Sequence, residues 1–460
     1  MGPETTTGAS PLTPERFFLV LALLSGLAFA AVTPPFQVPD EPVHFYRAYT
    51  VSEGRLDLLP APGATGADLP SSLTAGDLPP LLGLRFHPER KVAPASILAA
   101  LRIPLAPEKR EPVFFPSSLQ YTFVPYLPQA VGIALGRLLG APALALLYCA
   151  RLANLLFGTL AIACAVRRLP AYAWLAALAG LLPMSLALLA SASADVTTLA
   201  AAFTLISAAA RRAWGNGEPR RSDLVLLTLG SAVLCASKPP YLPLALLAFL
   251  IPAARLPRGR RGFLAAHLSL SLLMAAWAFV GARRIGPLHF DTAIDAGRQI
   301  HDSLTNPPRF FRVLAVDYAL HAPRYLSQMV GKLGWLDVQL PVALIVVWLT
   351  LLGALLFLDA GPRLDVRRWQ RGIAAVVTLT AMALISASQY AVWTPYGADF
   401  IQGVQGRYFL PLIPVAVWAF HRRRWAGRTP SGRLGIALAF FAVLSSGIAL
   451  WSLARRYYGV

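Results

Sequence analysis

Long apolar runs alternate with short arginine-rich connections along the whole chain. The runs predict membrane-crossing helices at about 16–33, 142–166, 169–190, 195–211, 223–238, 240–256, 262–282, 340–358, 372–393, 408–421 and 433–453. The shorter ones must recruit flanking residues or thin the bilayer locally. The pattern predicts an all-α polytopic integral membrane protein with about 11 transmembrane helices, within a range of 10–13. The stretch 121–139 is also apolar enough to cross. Crossing there would invert every later connection, so it is expected along the outer interface, as a juxtamembrane or re-entrant piece.

Orientation follows from the connections. Arg167 and Arg168, Arg211 with Arg212, Arg220 and Arg221, and Arg255 with Arg258, Arg260 and Arg261 fall on one side. Arg363, Arg367, Arg368 and Arg371, then Arg422, Arg423, Arg424, Arg428 and Arg433, fall there too. Five basic connections on one side place that side in the cytoplasm. The expected organisation is a cytoplasmic tail, 1–15, and one transmembrane domain, 16–460. Two large extracytoplasmic loops, 34–141 and 283–339, carry short interfacial helices. The Pro/Gly-rich stretch 57–83 reads as irregular, and no internal repeat is visible.

Composition narrows the class. Hydrophobic residues make up 56% of 460 positions and charged residues 14%, and the mean hydropathy is +0.56. That balance excludes a soluble domain. The net charge of +19 would suit a nucleic-acid partner, but the cations sit between apolar runs, where they set topology and meet lipid headgroups. Cys149, Cys164 and Cys235 all lie in apolar runs without ligand spacing. The first run ends in Thr33-Pro34-Pro35, not in a small-residue cleavage site, and is expected to be retained.

Candidate chemistry starts where the chain first leaves the bilayer, in PPFQVPDEPVHFYRAY, residues 34–49. Asp40 can cap a helix, with Pro42 in the first turn. His44 and Arg47 follow at helical spacing on the same face, and Glu41 lies beside it. Val43, Tyr46 and Thr50 form another stripe suited to the membrane surface. An acid at the mouth of a membrane cavity can deprotonate a hydroxyl nucleophile or hold a divalent ion, Mg2+ or Mn2+. The plainer role is a helix cap with a solvated charge pair.

Asp195 ends SASAD at the outer end of a span, on the same side as Asp40, and can equally cap the following helix. Lys238 in SKPPY and Arg407 in QGVQGRYFLP stand at outer helix ends, and Arg151 lies inside a span. Cations at membrane depth face a cavity or a partner, and phosphate is a natural partner. Snorkelling to headgroups is the alternative for Lys238 and Arg407, and an internal carbonyl partner for Arg151. Gln405 and Tyr408 flank Arg407 and join His44 and Arg47 as candidate substrate contacts. In GKLGWLDVQLP, residues 331–341, Trp335 suits an interfacial anchor and Asp337 a structural role. His267 reads as a packed, hydrogen-bonded histidine.

The ordered set PPFQVPDEPVHFYRAY, SASAD, SKPPY, GKLGWLDVQLP and QGRYFLP resembles a bacterial membrane family catalogued as domain of unknown function 2142, over nearly the whole chain. That family in turn resembles the C-fold glycosyltransferases, which place an acid early in the first outer loop and another in the next. Asp40, with Glu41 beside it, matches the first position, and Asp195 the second. The resemblance implies a GT-C-like fold in the bacterial inner membrane and a polyprenyl-phosphate-linked sugar donor. It implies Asp40 as base, with Glu41 and Asp195 assisting. Arg407, Lys238 and Arg151 are then candidates for holding phosphate. No other cofactor is expected, and the partners are the donor and membrane lipids, with no nucleic acid. Two other classes stay open: a transporter or flippase of an anionic lipid-linked substrate, and a non-catalytic envelope-assembly subunit.

Overall fold

A computed structural model describes residues 13–459 except 75–80, 82, 287, 289–292, 362–363 and 423–431. Most of the tail 1–15, and Arg363, Arg423, Arg424 and Arg428 of the basic connections, therefore lie outside the described residues. Among the described residues five helices are long and apolar enough to cross a membrane: Pro14–Val32, Ala143–Arg168, Arg260–Arg283, Arg368–Trp393 and Arg433–Tyr458. The last extends from Gly432.

The other apolar runs are also helical, but in forms that proline and charge dictate. The run expected at 169–190 is two short helices, Ala173–Gly180 and Pro183–Leu189, because Pro183 cannot continue the first. Asp195–Trp214 is a single helix, buried on nearly every face inside the bundle. Arg221–Ser237 packs beside it. Pro239, Pro240 and Pro243 then hold Pro239–Leu250 in a 3-10 helix. At ~2.0 Å per residue that form is longer than an α-helix of equal length, which partly offsets its few residues. Another 3-10 turn, Gly406–Leu412, leads into the helix Ile413–Phe420.

The loop 34–141 is more ordered than its composition predicts. Gly66–Pro70 pairs antiparallel with Arg110–Phe114, Gly66 opposite Phe114 and Pro70 opposite Arg110. The irregular stretch 57–83 thus contains a short strand within a mostly helical fold. A second hairpin pairs Lys332–Leu333 with Val338–Gln339. The helix Glu41–Ser52 does not lie on the membrane surface: Tyr46 and Thr50 are buried, with Val43 half-buried, beneath the following loop. Leu127–Leu138 has 12 residues, about 18 Å of rise against a ~30 Å core. It turns back along Ala143–Arg168 as a helical hairpin.

The bundle has two unlike ends. At one, Trp214 stacks on Trp418 with ring centroids 4.3 Å apart and donates to Gln370. Arg255 donates to the Gly215 carbonyl there, and Arg371 to that of Ala419. The other end gathers Asp40, Glu41 and Asp195.

Candidate functional site

Glu41 and Arg151 make the deepest polar contact. Arg151 gives Nε and Nη2 to the two Glu41 oxygens at 2.9 and 2.6 Å. Its other N–H groups reach the carbonyls of Ala30, Thr33 and Pro34. All five guanidinium donors are used. Glu41 also accepts from the backbone N–H of Phe36 and Ala192, and both side chains are fully buried. The expected roles of Glu41 as assisting acid and Arg151 as phosphate holder do not fit this geometry, because neither has an open position. Together they tie the first helix, the outer loop and the 190–195 turn into one frame.

Asp40, one residue earlier, does something different. Its backbone is left-handed, with φ 63°, and its side chain makes no capping bond. The turn instead aims the carboxylate at Arg407, whose Nη2 donates to Oδ2 at 2.6 Å. Arg407 Nε lies 3.6 Å from Asp195 Oδ2, and Lys238 Nζ pairs with Asp195 Oδ1. Asp195 does not cap its helix through its own side chain; Ser193 Oγ accepts from the Asp195 N–H instead. Two acids and two cations thus form one neutral cluster. Asp40 is its open member, with 40% of its side chain exposed against 12% for Asp195.

The walls are aromatic. Lys238 Nζ lies 5.6 Å from the Tyr121 ring centroid and 5.0 Å from that of Tyr408. The Tyr408 carbonyl accepts from Tyr241. His44 Nδ1 shares a 2.9 Å hydrogen bond with the Tyr126 hydroxyl, which also donates to the Ser118 carbonyl. Gln405 keeps a buried Oε1 without a hydrogen-bond partner. Arg47 turns away from the cluster, toward Thr50, with a buried Nε lacking an acceptor. The loop stretch 121–126 is fixed where Thr122 donates to the Ala236 carbonyl and Thr197 to that of Pro125.

Arg407 is placed by Gly406. The Gly406 N–H donates to Gln328 Oε1 at 2.9 Å. A Cβ there would meet the Tyr325 carbonyl oxygen at 2.0 Å and the Met329 nitrogen at 2.4 Å. Only glycine lets the QGR turn approach the helix Pro307–Gly331 this closely.

Electrostatics separates the two outer titratable groups. Burial opposes ionisation of Asp40, but Arg407 and then His44 outweigh it and hold the carboxyl below the usual carboxylate range. Burial pushes the His44 imidazole down to about 4 despite the pull of Asp40 and Asp195, so the ring is neutral at neutral pH. Mg2+ or Mn2+ does not fit between the acids, because the Arg407 guanidinium already occupies that space. Among the described residues no three His, Cys, Asp or Glu side chains gather to hold a metal.

Sequence reasoning did not single out Tyr121, Tyr126 or Arg85. Arg85 lies within electrostatic reach of Asp40, stacked over Phe86 and Trp335. Trp335 donates its Nε1 to the Phe36 carbonyl at 3.0 Å, and Asp337 pairs with Arg456. His267 is buried, with its two ring nitrogens against the Ala245 carbonyl and Thr228.

Apolar helices around a polar cluster at one end of the bundle define a helical integral membrane protein. The chain belongs to the family described as predicted membrane protein (DUF2142), whose model matches residues 23–416. No curated protein and no solved structure matches it.

Proposed function

We propose that the protein is a GT-C-like glycosyltransferase. It would move a sugar from a polyprenyl-phosphate donor to an envelope glycan, lipid or protein acceptor on the extracytoplasmic face. The observation that carries this reading is the convergence of Asp40 and Asp195, from separate outer turns, on the single guanidinium of Arg407. In the same reading eleven segments cross the bacterial inner membrane, with the N-terminus in the cytoplasm. The separation of the acidic cluster from Arg255 and Arg371 along the bundle supports that orientation.

In the proposed reaction Asp40 takes the proton of the acceptor hydroxyl as its oxygen bonds to the anomeric carbon. The bond from that carbon to the phosphate oxygen breaks, and its electron pair leaves with polyprenyl phosphate. Attack opposite the leaving group inverts the anomeric centre. Phosphate departs without a proton, so the site needs a base and cations but no general acid. Arg407 has an Nε without a hydrogen-bond partner, and Lys238 uses one of its three N–H donors on Asp195. Both can turn toward the leaving phosphate while Asp195 holds them. As Arg407 shifts toward phosphate, Asp40 loses its counter-ion and becomes the stronger base. Neutral His44, held by Tyr126, contributes an uncharged wall beside Asp40. Glu41 and Arg151 serve the frame.

Membranes containing the protein should transfer labelled sugar from polyprenyl-phosphate donors, and a deletion strain should lack one envelope glycan feature. Unchanged envelope glycans, together with no transfer from any such donor, would remove the proposal.

A further inference from the structure

The exposed side of the cluster carries a feature that the reaction above does not use. The Arg85 guanidinium lies 3.9 Å over the Trp335 ring and 4.5 Å over that of Phe86. The two rings meet edge to face at 5.8 Å. Among the described residues Arg85 has no hydrogen-bond acceptor and no carboxylate in ion-pair range, so the edge of its guanidinium keeps its donors. Phe86 is 63% exposed with φ 59°, a conformation costly for an aromatic residue unless its surroundings impose it.

Those surroundings are stiff. Arg456 binds the carbonyls of Leu84, His87 and Arg90 with its guanidinium and Asp337 with Nε. Trp335 is fixed to the Phe36 carbonyl, four residues before Asp40. A stacked arginine with unused edge donors beside an exposed aromatic face suits a sugar ring carrying an anion. The inner cluster is neutral, and among the described residues Arg85 has no carboxylate in ion-pair range.

We infer that Arg85, Phe86 and Trp335 form the acceptor subsite, and that the acceptor is a saccharide bearing a phosphate or carboxylate. The anion meets the edge of Arg85 and the sugar's apolar face lies on Phe86. This rests on the transferase reading for the word acceptor. In this assignment the lipid donor takes the buried cations Arg407 and Lys238, and the acceptor takes the exposed Arg85 and Phe86.

The test uses the full chain in detergent and needs no turnover. Binding of glucose 6-phosphate, methyl glucuronide and neutral methyl glucoside is followed by saturation-transfer NMR. One of the two anionic probes should bind at least tenfold more tightly than the neutral one, and which one wins distinguishes phosphate from carboxylate. Arg85→Gln should remove that preference, and Trp335→Ala should weaken all three probes. A melting temperature close to wild type for Arg85→Gln confirms that its fold is intact. Equal binding of charged and neutral probes, or an unchanged preference in Arg85→Gln, overturns the inference. So does a loss in Arg85→Gln confined to a short-chain isoprenyl phosphate, which would assign Arg85 to the donor. Selective binding in a protein without transfer activity would leave the anionic-saccharide subsite standing and sink only the reaction.

Discussion

The guanidinium of Arg407 donates to the carboxylate of Asp40 at 2.6 Å, across 367 positions of sequence. The bond joins the turn after the first helix to the turn before the helix Ile413–Phe420. It also fixes the charge of the open acid. Asp40→Asn keeps size and an acceptor for Arg407 but cannot take a proton. It should insert and fold with a modest loss of melting temperature, since Asp195 still faces Arg407, while transfer falls by at least a hundredfold, on the order of general-base removal. Asp195→Asn should also be impaired, through loosened Lys238 and Arg407. Addition of a chelator should leave the wild-type rate unchanged. Full activity of both variants in the transfer assay would reduce the acids to structural counter-ions.

Glu41 and Arg151 should behave oppositely. Glu41→Gln leaves a buried guanidinium without its charge partner, at a cost of roughly 3–5 kcal/mol. The variant should express poorly and melt well below wild type. Glu41→Gln combined with Arg151→Met should be less damaging than the two single changes summed. Thermal melts of the four proteins in one detergent measure that coupling. Additive effects would show that the two side chains are not coupled.

Gly406→Ala tests how Arg407 is positioned. The added methyl meets backbone atoms of the helix Pro307–Gly331, which cannot move aside cheaply. The turn must shift, at about 1–3 kcal/mol, carrying Arg407 away from Asp40. Transfer should fall more steeply than stability. A variant with normal activity would mean that the turn tolerates the shift.

His44 predicts a pH effect with a definite sign. Its pKa is about 4 in the folded chain against an ordinary 6.5. Between those values the unfolded chain takes up a proton that the folded chain refuses. The contribution is therefore complete above about pH 6.5 and is lost as pH falls toward 4. From pH 7 to pH 5 it amounts to about 2 kcal/mol. The melting temperature should drop over that interval in wild type and drop less in His44→Gln. Parallel curves would show that His44 titrates normally.

The orientation can be measured by labelling. In a background with Cys149, Cys164 and Cys235 replaced by alanine, Glu108→Cys and Thr305→Cys should react with an impermeant thiol reagent applied outside cells. Asn216→Cys should react only after the cells are opened. The reverse pattern would invert the protein in the membrane.

Much of this end of the molecule was legible in the sequence. Asp40, Asp195, Lys238 and Arg407 each stand where an apolar run begins or ends on one predicted side, so topology alone brings them near one another. The division of labour between Asp40 and Glu41 was not legible. It depends on a left-handed turn at Asp40 and on partners 110 and 367 positions away, and local spacing encodes neither. Burial of the helix Glu41–Ser52 escaped notice for a related reason: its outward stripe reads as amphipathic until the 115–126 segment covers it. The breaks near Pro183 and at Pro239–Leu250 follow from proline chemistry that a hydrophobic window averages away. Arg85 carried no local signal, because its partner Trp335 is 250 positions away.

The Glu41–Arg151 lock also sets an order of assembly. During synthesis Glu41 emerges 110 residues before Arg151 and 151 residues before Ala192, whose N–H completes its shell. Until those groups arrive, a charged carboxylate has no reason to leave water. The 34–141 loop therefore cannot complete its docking until the helix Ala143–Arg168 and the 190–195 turn are in place. It closes only when the chain has returned to the same face. Asp40 gains its own partner only later, because Arg407 follows it by 367 residues.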